Sequence, residues 1–416
     1  MARQSILAAA LAAVLLAGCA ASGGPVASEG PWVASWGTAN MLPGPEHQLA
    51  PAQWQDATLR QVVRVSLGGA RLRVRFSNVF GTEPLVIGGA SIALSDGPGR
   101  SSIVPGSSRV LRFGGAAAVT IPAGAEYLSD PVAISHAAGA DLAVSIHYPE
   151  APSRQTGHPG ARATSFIAPG QHLAADELPQ ASRFTRWYQL AGIEVEARPG
   201  THAVVAIGDS ITDGYGVAPD TNLRWTDGLA TRLRQAGMGG IGVVNAGIGG
   251  GRLLRDGLGP NMTARFERDV LGRPGVRHAI VLIGVNDFGT QHRDAKDSLA
   301  ARRQLLADMQ EALRQSVARA HARGVCVIGA TIGPYAGSEY YHPKGPNEQD
   351  RLAYNDWIRR SGVFDGVIDF DAALRDPARP DRLRKAYDND GLHPNMAGYQ
   401  AMAEAVPLNL LKDCRR

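Results

Sequence analysis

Lysine is scarce in this chain of 416 residues. Only four of its 42 basic side chains are lysines (Lys296, Lys344, Lys385 and Lys412), and the rest are arginine. The basic residues are scattered singly among acids and apolar residues. With 38 acids the net charge is only +4, so no basic face of the kind that grips nucleic acid stands out. Beyond the first twenty residues no apolar run reaches the ~18 needed to cross a bilayer, which excludes a multi-span membrane protein. Neither HExxH nor clustered Cys/His spacing occurs, so no metal is expected. The run Gly247-Ile248-Gly249-Gly250-Gly251-Arg252 is not a GxGxxG followed by an acidic ribose ligand, so no nucleotide cofactor is expected either. There is no internal repeat. What is present is ordinary globular usage, 44% hydrophobic and 19% charged, which excludes a disordered chain, a coiled coil or a collagen-like fibre. At ~150 residues per domain the length fits two or three domains.

Cysteine is equally sparse, and its three occurrences differ. Residues 1–18 carry Arg3 and an apolar stretch from Ile6 to Leu16 of signal-peptide length, and the run closes Leu16-Ala17-Gly18-Cys19. This resembles a bacterial lipoprotein lipobox. The resemblance implies cleavage before Cys19, acylation of Cys19 and, with Ala20 following, residence at the outer membrane. An ordinary secretory signal is the alternative. Residues 19–30 (from Cys19 through AASGGPVASEG) suit a flexible tether. Cys326 lies in an apolar β-like run and reads as an inert core residue. Cys414 is the third residue from the end, and in an oxidising compartment the two can pair, although nothing in the sequence brings them together.

The periodicity divides the rest of the chain. Over 31–199, short alternating or apolar runs (VVRVSL, ARLRVRFSNV, LVIGGASIAL, SRVLRF, AAVTI, DLAVSIHY) are bounded by Gly, Pro, Asn or Asp, which predicts an all-β sandwich. Residues 149–185 are rich in Pro and Gly and read as long loops. Over 200–416, apolar strands alternate with helical stretches near 224–235, 261–271, 298–323, 348–360 and 396–411. This predicts an α/β flavodoxin-like three-layer sandwich around a five-stranded parallel sheet, with ligands beyond the carboxyl ends of the strands.

Four features fall in order at those carboxyl ends. The first strand ends Gly208-Asp209-Ser210, which places a serine at a strand-to-helix turn with free amides behind it. The second ends in the glycine-rich Asn245-Ala246-Gly247-Ile248-Gly249-Gly250-Gly251. The third ends Gly284-Val285-Asn286-Asp287, where Asn286 is either an amide donor or a helix cap. Near the C-terminus Asp390 and His393 stand three apart, a spacing that can set a carboxylate against an imidazole. Each has an ordinary structural reading as turn, cap or solvated loop. Together they mark one site.

GDSITDG, NAGIGGG, GVND and DGLHP resemble the four blocks of the SGNH/GDSL hydrolase superfamily, in family order across about 200–410. ASWGTA, RVRFSNVFG, DTNLRW, RFERDV and HPNMAGYQAMA resemble a two-domain subgroup with an N-terminal β-domain. The resemblance implies a cofactor-free carboxylic ester hydrolase with Ser210 as nucleophile, His393 as base and Asp390 as its orienting carboxylate. It implies oxyanion donors from the Ser210 and Gly250 amides and the Asn286 side chain, with Gly247 as the alternative glycine. Where the subgroup often has Asn after Gly250, this chain has Gly251. Asp209 is expected to brace the turn, and Asp287 either to be structural or to order the Asn286 loop, without a catalytic part.

Arg224 and Trp225, which follow the nucleophile loop, and Tyr335, Tyr340 and Tyr341, after the fourth strand, are candidate pocket walls, with ordinary loop packing as the alternative. The absence of a long apolar lid argues against long-chain lipids. The expected substrate is an acylated carbohydrate carrying acetyl or other short acyl groups. The competing readings are a lysophospholipase, arylesterase or thioesterase, or a glycan-binding surface lipoprotein with a vestigial site. In the last of these, Trp32, Trp36, Trp54 and Trp187 would be the stacking residues.

Overall fold

A computed structural model describes residues 30–293 and 298–414. The expected signal peptide, Cys19 and the expected tether up to residue 29 lie outside the described residues. The N-terminal part is a β-sandwich of two antiparallel sheets. One orders Trp32–Gly37, Leu190–Glu196, Gly69–Ser77 and Glu126–Leu128, with Val132–His136 also on Gly69–Ser77. The other orders Ser182–Phe184, Ser165–Pro169, Ala57–Arg64, Asp141–Tyr148, Gly89–Leu94 and Arg109–Leu111.

The two-residue period explains the strand Gly69–Ser77. Leu72, Val74 and Phe76 are fully buried, whereas Arg71, Arg73 and Arg75 face outward onto Glu196 and Glu194 of the neighbouring strand. Residues 149–185 are not all loop. Ser165–Pro169 pairs along Ala57–Arg64, because its apolar run covers the flank of a strand that would otherwise end the sheet. The tryptophans are not a stacking platform. Trp54 is fully enclosed against Tyr148 and Tyr188, Trp36 and Trp187 are buried edge to face, and Arg73 lies over Trp32.

The C-terminal part holds a five-stranded parallel sheet with the order Ile241–Gly247, His202–Gly208, Val276–Leu282, Cys326–Ala330, Gly366–Ile368. In chain order this is 2-1-3-4-5, the flavodoxin-like winding. All seven residues of His202–Gly208 are buried, as a central strand covered on both faces requires. Helices Trp225–Gln235, Leu299–His321, Gly345–Arg360 and Met396–Ala405 clothe the sheet. Helix Met396–Ala405 ends before Pro407, and only a short 3₁₀ turn, Leu408–Leu411, follows, so the expected helix to 411 is broken.

The two parts share one core. The edge strand Ile241–Gly247 is covered by the β-domain: the Val243 amide donates to Ser66 Oγ at 2.9 Å, and Ala34 N donates to Pro274 O at 3.0 Å. The Arg273 guanidinium crosses the boundary to the carbonyls of Ala191 and Thr38. Val33, Trp36 and Leu67 belong to the same apolar cluster as Val204 and Val244.

Cys326 is not a free core thiol. It is joined to Cys414, with the Cα atoms 5.6 Å apart. Cys414 follows the turn Leu408–Leu411, where the carbonyl of Leu411 meets the His202 ring at 3.1 Å, so the tail is led back beneath the start of the sheet.

Candidate active site

The carboxyl edge of the sheet gathers the four motifs. Strand His202–Gly208 runs into Asp209, whose carboxylate caps the four-residue helix Ser210–Asp213 by accepting the Ile211 amide at 2.9 Å. Gly214 ends that helix in the left-handed region, at φ 92°. Beneath it, the buried Arg265 donates to the carbonyls of Ala246 (2.7 Å) and Gly208 (2.8 Å) and pairs with Asp269, tying the first two strand ends together.

Ser210 Oγ lies 2.8 Å from His393 Nε2, and His393 Nδ1 lies 2.8 Å from Asp390 Oδ2. Asp390 also accepts the amides of His393 (2.8 Å) and Leu392 (3.1 Å), so one carboxylate sets both the ring and its backbone. Burial pushes the Asp390 carboxyl up, but the hydrogen bonds from the His393 ring and amide outweigh it and hold it at about 2. The Asn389 amide donates to the His393 carbonyl, which closes the turn locally.

Asn286 opens the helix Val285–Arg293 rather than merely capping it. Its Nδ2 donates to Gly251 O at 2.8 Å, and its Oδ1 accepts the Tyr341 hydroxyl at 2.6 Å. The two bonds fix which way the amide faces. Tyr341 thus does more than wall the pocket, and a tyrosine 55 residues away carries no sequence signal for that contact. Burial pushes its phenol up, so it remains a donor.

Gly250 lines the cleft with Ser210 and Asn286. Gly247 lies under the nucleophile helix, where a Cβ would collide with the Asp213 amide, so Gly247 gives close backbone packing rather than a cleft amide. A Cβ at Gly251 would come 2.9 Å from the Ile248 carbonyl, which leaves no room for the side chain that the subgroup often has there. Asp287 accepts the amides of Leu253 (2.8 Å) and Leu254 (3.2 Å), bracing the loop after the glycines.

These groups sit in an open cleft of about 860 Å³. Its walls include Tyr215, Arg252, Leu258, Tyr340, Tyr341 and Arg382. Tyr340 and Tyr341 are therefore at the cleft, but three other expected wall residues are not. Trp225 is fully buried against Phe370. Tyr335 is buried beneath the loop, in edge contact with Tyr341. Arg224 turns to the β-domain, where it donates to the Ala161 carbonyl and pairs with Asp227. In each case the apolar or long side chain finds a buried partner that outcompetes exposure in the cleft. Tyr215, which none of the motifs includes, lies against His393 with ring centroids 4.2 Å apart and the planes tilted by 35°. Among the described residues no group of three or more His, Cys, Asp or Glu side chains is placed to hold a metal.

Asp209 and Asp287 are buried carboxyls with a consequence for pH. Burial, only partly offset by the Ile211 amide, pushes Asp209 up to about 7, and burial likewise pushes Asp287 up to about 6. An unfolded aspartate titrates near ~3.9. These two carboxyls therefore hold more protons in the folded protein than in the unfolded chain between about pH 4 and about pH 7. Their contribution to stability is greatest below that window and declines as pH rises through it. For Asp209 the decline is on the order of 4 kcal/mol, three pH units at ~1.4 kcal/mol each. Asp209→Asn, which keeps the cap, is expected to flatten it. Thermal unfolding of wild type and variant across the window checks this, and an unchanged slope in the variant would assign the effect elsewhere.

Three comparisons with known proteins bear on this geometry. Among solved structures, the chain is similar to an acetylxylan esterase from Geobacillus stearothermophilus at 22% identity, covering 51% of this chain and 94% of that one, with a TM-score of 0.39. It is also similar to a GDSL-like lipase from Bacteroides thetaiotaomicron at 18% identity, covering 51% and 89%, with a TM-score of 0.38. No curated protein sequence gives a significant match. The model of the GDSL-like lipase/acylhydrolase family matches residues 206–401, the segment that carries all four motifs. The C-terminal domain belongs to the GDSL-like lipase/acylhydrolase family, and the protein is an esterase.

Proposed function

We propose that the protein hydrolyses short acyl esters, acetyl above all, on carbohydrate, through an acyl-serine formed at Ser210. The observation that carries this reading is the unbroken chain Ser210–His393–Asp390, with both links at 2.8 Å, opening into the cleft. His393 Nε2 takes the Ser210 proton as Oγ bonds to the carbonyl carbon, and the negative charge moves to the carbonyl oxygen. The amides of Ser210 and Gly250 and Asn286 Nδ2 receive that charge, each contributing about 3 kcal/mol to the transition state. The ester C–O bond then breaks, and the leaving alkoxide takes the proton from His393. Water repeats the sequence on the acyl-serine and releases the acid.

The cleft wall favours a short acyl group on a sugar. Each methylene of a longer chain needs apolar surface worth about 0.8 kcal/mol, and the aliphatic side chains lining the cleft are Leu258 and Leu392. Tyr215 and Tyr340 instead present partly exposed rings beside Arg252, Arg382 and Asp388, a mixture that suits the apolar face and hydroxyl rim of a pyranose. The test is a series of p-nitrophenyl esters from acetate to decanoate beside acetate release from acetylated xylan. kcat/KM is expected to peak at acetate or propionate, with acetate freed from the polymer. A peak at octanoate or longer would sink the short-acyl reading and favour a lipid ester or thioester. Activity on aryl acetates without release from the polymer would leave an arylesterase.

We further propose that the enzyme is exported and held at the outer membrane by acylation of Cys19, on the strength of the Leu16-Ala17-Gly18-Cys19 run behind an apolar segment. Cys19→Ser is expected to move activity to the soluble fraction. Activity that stays with the membranes in that variant would place the anchor elsewhere.

A further inference from the structure

The β-domain reaches the nucleophile through one short segment, residues 157–164. His158 is enclosed at the domain boundary. Its Nδ1 lies 2.8 Å from the Ala39 carbonyl oxygen, and its Nε2 lies 2.8 Å from the Asp213 carboxylate. Asp213 is the last residue of the four-residue helix that Ser210 begins, and both side chains of this pair are under a tenth exposed. Trp187 stacks on the other side of the imidazole, at 5.7 Å. A Cβ on Gly160 would collide with the Asp213 carboxylate, so the segment is pressed against the helix.

The same segment holds the chain that follows the nucleophile helix. Thr164 donates its amide and its hydroxyl to Asp220, each at 2.6 Å, and the Asp220 amide donates to the Arg162 carbonyl at 2.9 Å. Arg224 donates to the Ala161 carbonyl. The Arg162 guanidinium lies over the Tyr215 ring at 5.2 Å, and Tyr215 is the ring that lies against His393. One segment of the β-domain therefore contacts the helix of the nucleophile and, through Tyr215, the imidazole beside it.

A single helical turn has little stability of its own, because forming one turn fixes several residues for one or two hydrogen bonds. Its orientation must come from what it is tied to. The Asp209 cap fixes one end, and the His158–Asp213 contact is a side-chain anchor at the other. We infer that the β-domain is a working part of the hydrolase, with His158 as the positioning residue that sets the nucleophile helix through Asp213. This rests on the reading of Ser210 as the nucleophile. A displacement near 1 Å at the reacting atom is enough to lower the rate by about 10²-fold, so the effect belongs in kcat rather than KM.

The experiment uses the full chain and two replacements at His158. His158→Phe keeps a ring against Trp187 and removes both ring nitrogens, whereas His158→Gln keeps a donor for Asp213. With p-nitrophenyl acetate, His158→Phe is expected to lose about 10- to 100-fold in kcat, with little change in KM. The rate at which a fluorophosphonate labels Ser210 should fall by a similar factor. His158→Gln should recover most of both. Asp213→Ala removes the acceptor instead and is read by the same criterion, which decides the matter where His158→Phe does not fold. A folded His158→Phe with wild-type kcat, or equal losses in the Phe and Gln variants, overturns the proposal. The labelled residue keeps the two readings apart: label on a residue other than Ser210 in the wild type removes the nucleophile assignment, whatever His158 does.

Discussion

Ser210→Ala is expected to lower kcat by about 10⁶-fold while leaving thermal unfolding close to wild type. That is the scale seen when the nucleophile of a serine–histidine–carboxylate set is removed, the remainder over water coming from binding and oxyanion donors. The fold should survive because the Ser210 side chain contributes one polar contact, to His393 Nε2. The helix it begins is held instead by the Asp209 cap and by Asp213. Fluorophosphonate labelling should be lost together with turnover. Labelling that persists at another residue would show that the nucleophile lies elsewhere.

Loss of the base should be nearly as severe, and the two losses should not multiply. His393→Ala removes the side chain that hydrogen-bonds Ser210 Oγ, and the double variant Ser210→Ala/His393→Ala is expected to be no worse than either single one. Asp390→Asn works by a different route. An asparagine amide turned toward the ring donates to Nδ1, which forces the proton onto Nε2, the atom that must accept from Ser210. A loss of about 10⁴-fold follows, smaller than that of His393→Ala. Asp390 is held at about 2, so it stays ionised through the range in which hydrolysis is assayed. The kcat values of these variants, each checked for cooperative unfolding, test the order. If His393→Ala keeps more than about a tenth of wild-type activity, against a loss expected to approach about 10⁶-fold, the C-terminal motif has been misread.

The motifs were legible because each lies at the end of an element whose period is written locally. The run Ala203–Gly208 is apolar throughout, as a central parallel strand must be, and the next residues are Asp209 and Ser210. Once the strand order follows from the alternation of strands and helices, Ser210 and His393 meet although 183 residues separate them. What was not legible depends on contacts that no local pattern encodes. Ser165–Pro169 looks like loop until Ala57–Arg64 offers it an edge. Cys414 finds Cys326 because a proline-broken last helix leads the tail back beneath the sheet. Arg224 and Trp225 follow the nucleophile loop, yet burial of an aromatic ring against Phe370 and of a guanidinium against Ala161 decides where they face. His158, isolated in a stretch rich in Pro and Gly, gives no hint in the sequence that it meets Asp213.

The shared core across the domain boundary bears on how the enzyme can be divided. A hydrolase part made alone would leave the edge strand Ile241–Gly247 without Ser66 and Ala34 over it, with the Val243 amide open to a passing strand and the apolar surface around Val244 in water. Such a fragment would self-associate before it could be assayed. The two halves should therefore melt in one transition, and a graft of the catalytic half onto another carrier would have to bring the β-domain with it.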